Sequence, residues 1–283
     1  MLGVNLVKTS VLMSVYKNDH PEFLKLALQS IYEHQTVKPD EIVIVIDGPV
    51  GKEILDTLDS FSCDKQGVVK CYAQEKNMGL GEALRIGAQK CTGDYIFRMD
   101  SDDVSCPTRF ERQLAFLKEH PDVDVVGGTI GEFEEDHHNI ILNRCCPETH
   151  SQILHTLRKR NPMNHVTVCI RRKALENAGG YLPLKLMEDY YLWARMLVNH
   201  CVFANMPETL VWVRIGAGFV SRRGAKEQIH SRYVIQKYIH KHKLLSLPEL
   251  IVNMSVFSCF IYCPPGMKAW IYRVILRKKV QNA

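Results

Sequence analysis

Tyr95-Ile96-Phe97-Arg98-Met99-Asp100-Ser101-Asp102-Asp103 is the stretch on which the reading of this 283-residue chain turns. Its first five residues predict a buried strand, and the strand runs out into three carboxylates within four positions. Like charges so close repel one another, and a fold tolerates them where something positive neutralises them. A divalent cation does so economically. Mg²⁺ or Mn²⁺ takes oxygen ligands, typically one or two carboxylates, with substrate phosphate oxygens completing the shell. Taken alone, the run also reads as a solvated acidic turn ahead of a helix that starts near Pro107.

The residues before it follow an alternating pattern. Val11 to Val15 predicts a first strand, and Pro21 to His34 a helix with Phe23, Leu24, Ala27, Leu28 and Ile31 at helical spacing. Glu41 to Ile46 is nearly all apolar, as a strand covered on both faces would be, and ends in Asp47-Gly48. Helix Gly51 to Phe61, strand Val68 to Ala73 and helix Gly81 to Cys91 lead back to residue 95. Strand and helix in alternation predict an α/β fold around a mostly parallel sheet. Ligands of such sheets collect at the carboxyl ends of the strands, so Asp47 and Asp100 to Asp103 are expected to face one cleft. Downstream the pattern predicts a helix over 105 to 118, a strand at Val123 to Val126, a polar stretch from Glu132 to Asn143 and a strand near Val166 to Ile170. Helices follow around Arg172 to Ala178 and Asp189 to Val198.

The order of Tyr16, Asp47, Asn77-Met78-Gly79-Leu80-Gly81 and Asp100-Ser101-Asp102-Asp103 resembles the donor-binding half of the inverting glycosyltransferases of family 2, over roughly residues 9 to 225. It closely resembles the bacterial O-antigen, capsule and exopolysaccharide transferases of the amylovoran type. The resemblance implies a GT-A fold, with a Rossmann-like nucleotide-binding half over 1–104 and an acceptor half over 105–225; beyond it the residue pattern predicts a helical, basic and apolar, membrane-associating extension over 226–283. It further implies that Tyr16 stacks on a nucleobase, that Asp47 accepts a hydrogen bond from a uracil imide, and that Asp100 and Asp102, with Asp103, hold Mn²⁺ or Mg²⁺ and the donor diphosphate. Met187-Glu188-Asp189-Tyr190-Tyr191-Leu192-Trp193 resembles the family's Glu-Asp motif, which makes Asp189 the general base and sets Glu188 and Trp193 beside the acceptor. Asn164-His165-Val166-Thr167 and Gly179-Gly180-Tyr181 match the segment that shapes the acceptor side, with His165 a candidate contact. Arg214 and Ser221-Arg222-Arg223 resemble a basic segment that closes over the diphosphate, a role suited to arginine's planar donors. The implied reaction is a single displacement with inversion, in which one carboxylate deprotonates the incoming hydroxyl. The implied substrates are a UDP-sugar and a glycan on a polyprenyl diphosphate carrier. The Gln-x-x-Arg-Trp motif of processive members is absent, so single-sugar addition is expected.

Other chemistries fit less well. Asn77 to Gly81 lacks the third glycine of a dinucleotide fingerprint, which argues against a dehydrogenase. A sugar nucleotidyltransferase would place a glycine-rich loop after the first strand, where Ser14 to Asp19 has no glycine. Asp102-Asp103-Val104 lacks the following Thr or Ser of an Asp-x-Asp phosphatase. A non-catalytic sugar-nucleotide-binding protein would carry both acidic centres without using them. Arg85 is read as a helix-surface arginine rather than a phosphate ligand.

Composition sets the outer bounds. With 46% hydrophobic residues the chain can bury a large core, and its net charge of +5 predicts no nucleic-acid partner. The charge is uneven: residues 264–283 carry Lys268, Arg273, Arg277, Lys278 and Lys279 and no acid. Ten cysteines without paired metal-ligand spacing, two of them adjacent at Cys145-Cys146, read as reduced thiols of a cytosolic protein. No signal peptide and no apolar run of about 18 to 20 residues is present, so the chain is not expected to span a membrane. Residues 225–243 are rich in Lys, Arg and His, and Leu244 to Cys263 is apolar. That segment reads either as a helical pair packed on the core or as an interfacial element at the inner face of the cell membrane, in contact with anionic lipid.

Overall fold

The computed structural model describes residues 7–216, 225–264, 266–267 and 278–279. All six residues of Glu41–Ile46 are buried, as expected of an interior strand with layers on both faces. The first half runs β1 (Thr9–Val15), α1 (Pro21–Ile31), β2 (Glu41–Ile46), α2 (Lys52–Ser62), β3 (Val69–Ala73), α3 (Leu80–Lys90) and β4 (Tyr95–Met99). Its four strands pair in parallel in the order β3-β2-β1-β4. Period-2 alternation sorts their side chains: Val11, Met13, Val15, Ile42, Ile44 and Phe97 face one core with α1 and α2, while Leu12, Val43 and Ile96 face the other with α3.

The second half runs β5 (Val104–Ser105), α4 (Arg109–Glu119), β6 (Val125–Phe133), β7 (Leu142–Arg144), α5 (His150–Leu157), a 3₁₀ turn at His165–Thr167, β8 (Cys169–Arg171), α6 (Arg172–Asn177), α7 (Glu188–Val198) and β9 (Phe203–Arg214). Here the sheet becomes mixed: β8 pairs antiparallel with both β4 and β6, whereas β9 runs parallel to β6. The expected parallel character therefore belongs to the first half. β6 extends seven residues beyond Val126, and β9 and α5 have no counterpart in the sequence reading. Gly127-Gly128 inside β6 and Pro207 inside β9 weaken the local strand signal, and pairing between the two strands overrides it.

Helices α8 (Ala225–Lys241) and α9 (Leu247–Tyr262) follow, and β10 (Lys278–Lys279) returns to pair with β7. α8 inserts Ile235 and Ile239, both fully buried, into the core that α7 also lines. α9 buries only Ile261. Among the described residues no helix is long and apolar enough to cross a membrane.

Candidate active site

Parallel pairing puts the carboxyl ends of β1, β2 and β4 on one side of the sheet, and each leads into a candidate residue. Tyr16 leaves β1 half-buried, and its backbone N–H donates to Asp19 Oδ2 at 3.0 Å. Asp47 leaves β2 and is only 3% exposed. Its Oδ1 accepts from Met78 N–H at 2.7 Å and its Oδ2 from Gly79 N–H at 2.9 Å. The residue expected to meet a uracil imide thus folds the Asn77–Gly81 loop with both carboxylate oxygens. Gly48 allows the close crossing: its φ is +86°, and a Cβ there would stand 2.4 Å from Asn77 N.

The acidic run is organised by a buried cation. Arg98, 2% exposed near the carboxyl end of β4, pairs through Nη1 with Asp100, and its buried Nε has no hydrogen-bond partner. Ser101 turns inward and donates to Asp19 Oδ2 at 2.7 Å. Burial, and then the nearby Asp100 charge, raise Asp19 to about 6 against two hydrogen bonds that lower it. Asp102 is exposed to the cleft on one side, but protein around its carboxyl, and then Asp100 and Asp19, raise it to about 6 as well. Asp19 is a fourth acid of the cluster that the sequence reading missed. It lies 82 positions from Ser101, and no motif spacing announces it.

Asp103 departs from expectation. It is 3% exposed and its Oδ1 accepts from Arg214 N–H at 2.9 Å, so it ties the run to β9 instead of offering an oxygen to the cleft. Burial, followed by Asp102 and Asp100, pushes its pKa well up. The accessible carboxylates are Asp100 and Asp102. Beyond burial, the Asp100 charge raises the pKa of Asp102, Asp103 and Asp19, a mark of negative charge without enough compensation, and an all-oxygen donor set suits a hard divalent cation, so Asp100 and Asp102 fit Mg²⁺ or Mn²⁺. They do not form a closed cage, as befits a site that substrate phosphates complete. Among the described residues, the one trio of donor atoms all within 4.8 Å of one another is Asp136, His137 and His138, in the turn after β6.

The second centre sits at the N-terminus of α7. Asp189 Oδ2 accepts from Asn161 Nδ2 at 2.6 Å, and Oδ1 from Tyr190 N–H at 2.7 Å. Burial raises its pKa, while these two hydrogen bonds, and then Arg144 and Arg98, oppose the rise. Asn161, the positioning partner, was not legible in the sequence. Glu188 packs beside the start of α3: a Cβ on Gly81 would lie 3.1 Å from Glu188 Cβ and 3.2 Å from Pro183 Cα. His165 Nε2 meets the Tyr181 hydroxyl at 2.9 Å, and burial followed by the Arg98 charge drives its pKa well down, so it is a neutral imidazole.

Two further expectations are corrected. Trp193 is fully buried, edge-on to His165 at 5.8 Å and to Phe203 at 5.9 Å, so it supports the wall and presents no surface to an acceptor. Arg214 ends β9 instead of lying in a closing loop. Its guanidinium centre is 3.8 Å from the Phe23 ring centroid and 4.6 Å from that of Phe133, and its Nη1 donates to the carbonyls of Glu134 and Glu135 at 3.3 Å. Arg85 is held by Glu82 through Nε at 2.8 Å and Nη2 at 2.5 Å, as a helix-surface pair. Ser221, Arg222 and Arg223 lie outside the described residues.

Comparisons with known proteins agree with this geometry. Residues 10–178 match the model of "Glycosyl transferase family 2". The chain is 34% identical over 271 residues to the UDP-Gal:alpha-D-GlcNAc-diphosphoundecaprenol beta-1,3-galactosyltransferase of Escherichia coli, covering 96% of this chain and 97% of the relative. It is 37% identical over 222 residues to the amylovoran biosynthesis glycosyltransferase AmsE of Erwinia amylovora, covering 78% and 82%. In fold it matches S. aureus TarS 1-349 in complex with UDP-GlcNAc, with a TM-score of 0.69 at 18% identity over 94% of this chain and 76% of that one. The parallel first half, the acidic run after β4 and the Asp189 carboxylate are therefore parts of a GT-A fold, and the chain belongs to glycosyl transferase family 2.

Proposed function

We propose that this chain transfers a single hexose, with inversion, from a UDP-sugar to a sugar carried on a polyprenyl diphosphate at the cytoplasmic face of the membrane. One observation carries the reading. Asp47 folds the Asn77–Gly81 loop, and Gly81 packs against Glu188, the neighbour of Asp189, which supports a reading in which the strand ends and the carboxylate of α7 face one cleft. A diphosphate-binding centre and a base at one cleft are what a single displacement at an anomeric carbon needs. The name of the Escherichia coli relative states a donor and acceptor of these classes.

In this reading Tyr16 stacks on the uracil, and the loop folded by Asp47 lies against the donor. Asp100 and Asp102 would hold Mn²⁺ or Mg²⁺, whose charge offsets that of the departing diphosphate. Asp189, oriented by Asn161 and Tyr190 N–H, takes the proton of the acceptor hydroxyl through a carboxylate oxygen. Burial raises its pKa and makes it a stronger base. Neutral His165 and Glu188 line the acceptor side.

The test is to incubate the protein with a panel of UDP-sugars, Mn²⁺ and a sugar-diphosphate acceptor, and to follow UDP release. Acceptor-dependent UDP release is expected from at least one donor. Asp189→Asn should abolish transfer and leave UDP-sugar binding intact, while Asp102→Asn should weaken metal-dependent donor binding. No UDP from any donor by the folded protein, or an undiminished rate in Asp189→Asn, overturns the reading.

A further inference from the structure

α9 is apolar on almost every side yet buries only Ile261. Leu247, Ile251, Val252 and Val256 are 55 to 65% exposed, and Tyr262 69%. A helix hydrophobic all round is at home only in apolar surroundings, and an exposed strip of this size marks an interaction surface. Its 16 residues span about 24 Å, short of the roughly 30 Å of a bilayer core, so it can lie in a membrane interface and cannot cross one.

Charge selects the occupant. Residues 225–283 carry ten Lys and Arg against Glu227 and Glu249, a net of +8, so the preceding 224 residues carry −3 of the chain's +5. On α8, Lys226, Lys237 and Lys241 are exposed. Between α8 and α9 opens a groove of about 430 Å³, lined by Lys226, Ile229, His230, Tyr233, Met254 and Tyr262. Apolar floor, tyrosines and cations together match the acyl–headgroup boundary of an anionic lipid leaflet.

The same hairpin grips the base-positioning segment. Gln236 Nε2 donates to the Arg158 carbonyl at 3.1 Å, Asn253 Nδ2 to the same carbonyl at 2.7 Å, and Arg232 Nη2 to that of Lys159. Arg158-Lys159-Arg160 leads directly into Asn161, which holds Asp189. We propose that the α8–α9 face docks on an anionic bilayer, which brings the Arg158–Arg160 ridge and Asp189 to the lipid surface where a diphosphate-linked acceptor emerges. The consequence for the acceptor rests on the lipid-linked reading above; the docking itself does not.

The test uses the full chain with vesicles of phosphatidylglycerol and phosphatidylethanolamine, and with neutral phosphatidylcholine vesicles. Co-sedimentation with the anionic vesicles is expected, weakening as salt rises. The double variant Ile251→Asp, Val256→Asp should cut vesicle binding about tenfold or more, with Tm retained. Its transfer to a vesicle-borne, long-chain acceptor should fall by a similar factor, while transfer to a short-chain, water-soluble acceptor stays within about twofold. Three outcomes overturn the docking: no vesicle binding by the wild type, equal binding to neutral vesicles, or a wild-type dimer that the variant converts to monomer. Intact vesicle binding without transfer to any acceptor would overturn the enzymatic reading and leave the docking standing.

Discussion

Replacing Asn161 by alanine probes the base through a residue that orients it without touching a reacting atom. The lost bond is the 2.6 Å donation from Asn161 Nδ2 to Asp189 Oδ2, and Tyr190 N–H still holds Oδ1. A hydrogen bond to a charged group is worth about 1.5 to 3 kcal/mol. At about 1.4 kcal/mol per decade, kcat should fall roughly ten- to a hundredfold. The sign of the pH effect follows from the same bond. Asn161 stabilises the carboxylate form and lowers the Asp189 pKa against burial, so its removal raises that pKa. A general base works deprotonated, so the rising limb of the pH–rate profile should move to higher pH, and the deficit should shrink as pH increases. The assay is acceptor-dependent UDP release over a pH series, read as kcat and KM. Tm and UDP-sugar affinity serve as controls, because Asn161 Oδ1 also accepts from Met163 N–H at 3.1 Å. A folded variant with unchanged kcat and an unmoved limb would refute the base assignment.

Two stability predictions accompany it. Burial opposes the charge of Glu41, but Lys70, Ser10 and Thr92 outweigh it and hold its pKa at about 2, below an ordinary 4.5. The unfolded chain therefore protonates Glu41 first as pH falls, so its contribution of about 3 kcal/mol is complete above pH 4.5 and lost as pH drops through about 2. Urea midpoints in an acid series should show this loss, and Glu41→Gln should flatten it; an equally steep series for the variant contradicts the account. Gly48→Ala forces a Cβ to within 2.4 Å of Asn77 N at a φ of +86° and should cost about 2 kcal/mol or more. It should also weaken UDP-sugar binding by displacing the loop that Asp47 holds, and unaltered Tm and donor affinity would count against that loop's role.

Much of the parallel first half was legible because its signals are local. The alternation of apolar runs and helical spacing placed β2 and β4 at their observed bounds, and the acids fell just beyond β4 as read. β6 and β9 were illegible beyond Val126, since glycines and a proline carry little strand preference and only pairing across some 80 residues makes them strands. Burial defeated two residue assignments. Trp193 looked like an acceptor contact because it follows Asp189 closely, but four positions along a helix turned into the core it has no access to the cleft.

From the sequence alone came the α/β class, the acidic run as a candidate centre for a hard cation and, by resemblance, the family and Asp189 as the candidate base. Tertiary structure decided which acids face the cleft and which side chains hold them. Ser101 reaches Asp19 across 82 positions, Arg214 pins Asp103 across 111, and Asn161 meets Asp189 across 28. A run of carboxylates is a property of neighbouring residues, readable as written. The exposure, partners and charge environment of each carboxylate are set by chain segments that meet only when the sheet closes, and no local pattern encodes that meeting.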